Sequence, residues 1–138
     1  MIDKEQISVM IKDIERYLSD LSEMRINSKN VLLEKEKYYA VSMLVFAVMN
    51  RVIDIGNEII SGSAKIPLPG TYKETFELLS KNKILSSGLA HDLTGLMKYR
   101  NIIAHEYYQL SIEEIFRLKK DIYRVEGFIQ EIKKFLKK

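Results

Sequence analysis

The stretch Tyr38–Met49 is apolar at every position except Ser42. It is shorter than the roughly 20 residues that a membrane-spanning helix needs. It reads instead as a buried helix. A helix apolar all round is either central in its bundle or covered on its second face by a partner chain. Gly and Pro number only 6 and 2 among the 138 residues. That scarcity favours long uninterrupted helices over a turn-rich β architecture.

The rest of the chain follows the same pattern. Ile7, Met10, Ile11, Ile14, Leu18 and Leu21 recur at helical spacing, which predicts a first helix over about Asp3 to Met24. The second helix is predicted from about Ser28 to Ile60, polar toward its end at Asn50, Arg51, Asp54, Asn57 and Glu58. Ser61–Gly70 holds Gly62, Pro67, Pro69 and Gly70 and is the one clear loop. Composition does not change across it, so it is read as a surface connection inside a single domain spanning residues 1–138. Thr71 with Glu74, and Ser111 with Glu114, have capping-box spacing. They open a short third helix and a last helix from Ile112 to about Phe135. A fourth helix is expected from Ser86 or Ser87, carrying Leu89, Leu93, Leu96, Met97, Ile102 and Ile103, and ending between His105 and Ser111. The fold class is therefore all-α, an up-and-down bundle of about five helices.

Composition excludes several function classes. The absence of cysteine removes disulfide scaffolds, thiolate metal sites and cysteine nucleophiles, and fits a reducing cytoplasm. Met1–Glu15 is charged throughout and lacks the apolar run of a signal peptide. A cytoplasmic protein without a membrane partner is expected. A net charge of +3 is too small to announce a nucleic-acid binder by itself. There is no glycine-rich phosphate loop ending in Lys-Ser or Lys-Thr, and no Asp-x-Asp follows Gly62-Ser63. The two histidines, His91 and His105, lie in no cluster with metal-ligand spacing, so neither metal nor cofactor is expected.

What remains is the segment Lys98–Tyr108. Cleaving RNA without a metal requires a base for the 2′-hydroxyl, a cation for the extra charge at phosphorus, and an acid for the leaving 5′-oxygen. Histidine suits the first and third tasks because its pKa lies near neutrality. Arginine suits the second because its permanently charged guanidinium forks onto phosphate oxygens. Arg100 and His105 are five positions apart, about 140° around an ideal helix. They converge on one phosphate only if the helix ends or distorts at His105, or if two chains build the site together. The second arrangement also supplies two histidines, one as base and one as acid. Taken alone, the pair reads more readily as a solvated helix charge and a helix-end histidine, because isolated motif matches are often accidental.

Arg100, Asn101, His105 and Tyr107 match the Arg-x4-His-x-Tyr signature of HepT-type HEPN toxins. The resemblance extends from about Val31 to the end. Tyr38–Val41 followed by Asp54–Ile60 looks like that family's second helix. Pro67–Leu79 looks like its proline loop and the short helix after it. Leu89, Leu93, Gly95 and Leu96 look like its fourth helix.

The resemblance implies a dimerising helical bundle whose motifs face a shared cleft, and a metal-independent ribonuclease acting on transfer or messenger RNA. It implies a minimal nucleotidyltransferase (MNT) antitoxin as partner, which attaches AMP to the motif tyrosine, here Tyr107. Arg100 would clamp the phosphate, His105 would act as base or acid, and Asn101 would orient the site. Asp54 on the second helix is a candidate to position Arg100. The alternative is a non-catalytic HEPN module that binds RNA or a nucleotidyltransferase partner, since fold alone is not function.

Overall fold

Asp3 begins the first helix. Its side chain accepts the Gln6 N–H, one of the donors that a helix start leaves without an intrahelical partner. The computed structural model, which describes residues 1–105 and 110–138, shows helix α1 at Lys4–Glu23. The six apolar residues that predicted it are all buried. Arg25, with φ at 51°, turns the chain out of the helix in the left-handed region.

The expected start of the second helix is displaced. Lys29–Leu33 forms a 3-10 turn, the backbone becomes extended at Glu34, and α2 runs Lys35–Ser61. The turn packs against both α2 and the helix that opens at Ile112. It buries Leu32 and leaves Leu33 outside, a placement that local propensity alone does not specify. By length and composition α2 is apolar enough to cross a bilayer, with a mean hydropathy of 1.4 over its best window. Here one side of it, including Val41, Val45, Val48, Met49, Val52, Ile55 and Ile59, is fully enclosed by the bundle.

Helix α3 (Tyr72–Lys81) begins with the Thr71 hydroxyl accepting the Glu74 N–H. The reciprocal half of the expected capping box is shifted: Glu74 accepts from the Gly70 N–H at 2.7 Å. Helix α4 (Ser87–Met97) is capped by Ser86, whose own N–H is held by Glu131. At Lys98–Tyr99 the rod tightens, with the Tyr99 N–H reaching back only to the Leu96 carbonyl, and it resumes as α5 (Arg100–Ala104). After residues 106–109 the complete Ser111/Glu114 capping box opens α6 (Ile112–Asp121). A 3-10 turn at Ile122–Arg124 joins it to α7 (Val125–Leu136) with right-handed dihedrals throughout. The five expected helical segments are thus present, and the last two each contain one tightened turn. Among the described residues there is no strand.

The core runs through all of these elements. Ile7, Ile14, Val45, Val48, Phe76, Leu79, Leu93, Val125 and Phe128 have no exposed surface, each contributing on the order of 1.5–3 kcal/mol by leaving water. Helix α2 is the hub, packing against α1, α3, α5 and α6. Its close approach to α3 depends on Gly56, where an added Cβ would lie 2.8 Å from Thr75 Cγ2.

Candidate ribonuclease site

Helix α5 lies against α2, with Ile102 and Ile103 packed on the core. This docking brings Arg100, the first residue of α5, onto the side chains of α2. Arg100 Nε donates to Asn50 Oδ1 at 2.5 Å. The guanidinium carbon sits 5.8 Å from the centroid of the Phe46 ring, in cation–π range. Its Nη1 lies 3.5 Å from Asn101 Oδ1, a weak contact at the edge of hydrogen-bonding distance.

His105 caps the other end of α5. Its N–H still bonds to the Asn101 carbonyl at 3.1 Å, but its backbone is extended (φ −102°, ψ 126°) and its side chain is exposed. The helix therefore ends at His105, the first of the two arrangements under which Arg100 and His105 can serve one phosphate. Asn101 is exposed between them. Tyr107, the expected modification residue, lies outside the described residues.

The far side of the segment is tied to α2 as well. The Tyr38 hydroxyl donates to the Leu110 carbonyl at 2.6 Å, and Leu110 is buried. Partial burial, with Tyr39 and Glu114 nearby, raises the Tyr38 pKa above the ordinary tyrosine value, so it remains a donor.

Asp54 does not hold Arg100. Its carboxylate accepts from Arg51 Nη1 at 2.8 Å, and Arg51 Nε donates to Asp13 of α1 at 3.1 Å. The residue of α2 that engages Arg100 is Asn50, one helical turn before Asp54. Sequence reasoning counted Asn50 among the polar residues at the end of α2 without distinguishing it. The available signal was the Phe46/Asn50 spacing, an i, i+4 pair on one helix face, but only the docking of α5 shows which polar residue meets the arginine. His91 is exposed on α4. No group of three or more histidine or carboxylate side chains suited to a metal occurs among the described residues.

Residues 7–137 match the family model described as Ribonuclease HepT-like. The chain belongs to the HepT-like ribonuclease family. A curated member, the mRNA nuclease HepT of Shewanella oneidensis, is 24% identical over 84 residues, 61% of this chain. The match spans 58% of that protein's length. Among solved structures, YutE from Bacillus subtilis, described as a cytosolic protein of unknown function, superposes with a TM-score of 0.84 at 20% identity, covering 98% of this chain and 91% of that one. The tri-AMPylated HEPN toxin of S. oneidensis, solved in complex with its MNT antitoxin, superposes with a TM-score of 0.83 at 22% identity, covering 92% and 96%. At these identities the superpositions establish the HepT-like fold.

Proposed function

We propose that this HepT-like chain is the toxin of a toxin–antitoxin pair, and that it cleaves RNA without a metal at a cleft shared by two copies. The observation that carries the reading is the placement of Arg100 and His105 at the two ends of α5. The arginine is held against α2 and the histidine is exposed where the helix stops.

One histidine removes the proton from a ribose 2′-hydroxyl as the new 2′-O–P bond forms. Arg100 takes the growing charge on the non-bridging oxygens. The P–O5′ bond breaks, and the second chain's histidine gives its proton to the departing 5′-oxygen. The products are a 2′,3′-cyclic phosphate and a 5′-hydroxyl. Asn101, exposed between the pair, orients substrate by hydrogen bonding.

Tyr39 and Met43 are 55% and 60% exposed on α2, with Met43 within two turns of both Phe46 and Asn50. This apolar stripe beside Arg100 suits a second copy whose motif completes the cleft. The partner that silences the site is an MNT-type nucleotidyltransferase that adds AMP to Tyr107, as the AMPylated S. oneidensis toxin suggests. A negatively charged nucleotide two residues from His105 would obstruct the cleft and repel phosphates. Messenger RNA is the first substrate to test, given the name of the curated relative, with transfer RNA second.

The test is to express the wild-type chain, His105→Ala and Arg100→Ala in bacteria without an antitoxin and to sequence cellular RNA ends. Growth arrest with new 5′-hydroxyl ends from the wild type alone is expected. Three proteins that behave alike and cut nothing would leave a non-catalytic partner-binding module as the reading.

A further inference from the structure

An arginine at the first position of a short helix has four freely rotating side-chain bonds and would ordinarily sample many directions. Arg100 does not have that freedom. Asn50 accepts from its Nε on one edge, and Phe46, one turn earlier on the same face of α2, lies in cation–π range of its guanidinium. Both contacts come from α2, whose Val45, Val48, Met49 and Val52 are fully enclosed by the bundle, so the frame that holds Arg100 is rigid.

From these contacts we infer that Asn50, supported by Phe46, is a positioning residue that aims Arg100 while sparing its charge. The inference rests on the proposed role of Arg100 as a phosphate clamp. With Nε engaged by Asn50, side-on binding of phosphate through Nε and Nη2 is blocked. The end-on fork through Nη1 and Nη2 is the mode that the clamp selects, phosphate displacing the weak 3.5 Å contact of Nη1 with Asn101 Oδ1. The acceptor is a neutral amide, so it fixes the guanidinium without cancelling the positive charge that the transition state needs.

The carboxylates nearby on α1 and α2 are kept occupied. Asp54, one turn beyond Asn50, accepts from Arg51 at 2.8 Å, and Asp13 accepts from the same arginine at 3.1 Å. Arg51 therefore gathers the negative charge on this side of the bundle, and the amide is left to hold Arg100. An aspartate in place of Asn50 would hold the arginine equally well but would weaken its attraction for phosphate.

Two readouts test this on the full-length chain. The first is the Arg100 Nε–Hε signal in a 1H–15N spectrum, assigned by its loss in Arg100→Lys. It should be distinct and slowly exchanging in the wild type, persist in Asn50→Asp, and collapse toward the solvent-exposed arginine signals in Asn50→Leu. The second is cleavage of a mixed-sequence fluorescent oligoribonucleotide pool. Asn50→Leu should lose about 10- to 100-fold in kcat, the scale of a misaimed catalytic group, with KM little changed. Asn50→Asp, which keeps the aim but offsets the charge, should raise KM several-fold and lose distinctly less kcat than Asn50→Leu. That split separates positioning from a merely structural role, and the melting temperatures of both variants should stay close to the wild type. Should Asn50→Leu fold poorly, Asn50→Ser removes the acceptor's reach with less disturbance and is read the same way.

An unmoved Arg100 Hε signal in Asn50→Leu, or wild-type kcat in that variant, overturns the inference. So does an aspartate variant as slow as the leucine one. A wild type that cuts no RNA overturns the cleavage reading instead, and the Hε signal then decides the clamp by itself.

Discussion

Arg100, the motif arginine, has a direction set by a residue outside the motif. The signature specifies a guanidinium and an imidazole, but Asn50 determines where the guanidinium points. Gly56 shows the same dependence in the core. A helix-interior Gly→Ala change normally gains up to about 1 kcal/mol. Here the new Cβ would meet Thr75 Cγ2 at 2.8 Å and Leu79 Cδ1 at 3.3 Å. Thr75 cannot swing aside easily, because its hydroxyl lies 3.1 Å from both Asn57 Oδ1 and the Thr71 carbonyl. Overpacking of about 1–3 kcal/mol should therefore win, and Gly56→Ala should lower the urea midpoint rather than raise it.

Helices α2 and α5 make the proposed site together. Helix α2 meets the motif segment at both ends, with Asn50 on Arg100 and Tyr38 on the Leu110 carbonyl. Twelve positions of helix separate these two contacts, about 18 Å at 1.5 Å per residue. The Tyr38 contact has a pH signature. Only the protonated hydroxyl donates, and its pKa is raised in the folded protein, by burial first and then by Tyr39 and Glu114. The unfolded chain ionises near 10. The stabilisation is therefore whole below that pH and is lost as pH rises through the higher folded value. Tyr38→Phe should cost about 1 kcal/mol at neutral pH. Urea melts from pH 8 to 11.5 should show the wild-type advantage over Tyr38→Phe disappearing at the alkaline end.

At this scale the sequence was most legible where local chemistry decides the outcome. The buried stripe of α1 and the Ser111/Glu114 box appear as their spacing predicts. The Thr71/Glu74 pair has the same spacing, yet its glutamate closes on Gly70, because the preceding turn brings that N–H within reach. The displaced start of α2 was not legible. The turn that buries Leu32 packs on α6 as well as on α2, and α6 is distant in sequence.

Two copies are the expected working unit of the whole molecule. The all-apolar run that opened the sequence reading left two possibilities, a central helix or one covered by a partner. Both apply in part. Val41, Val45, Val48 and Met49 are enclosed within the chain, while Tyr39 and Met43 face outward. Sedimentation should give about twice the 16.1 kDa chain mass. Met43→Glu, which places a charge in the exposed stripe, should yield a folded monomer and abolish RNA cleavage in the same samples. A dimer that persists in that variant would move the interface elsewhere.

By itself the sequence determined the helical class, the family signature and the residue types for the proposed phosphate chemistry. These follow from periodicity, capping and spacing, all of which act over a few neighbouring residues. Only the tertiary structure decided that Asn50 rather than Asp54 meets Arg100, that Arg51 draws off the nearby carboxylates, and that the helix stops at His105 with Tyr38 holding the chain beyond. The Arg100 contact depends on α5 docking against α2, the Arg51–Asp13 pair on α1 docking against α2, and the Tyr38 contact on the chain at Leu110 returning to α2, each between residues far apart in sequence. Such contacts are set by how whole helices fill space together, and no local pattern encodes them.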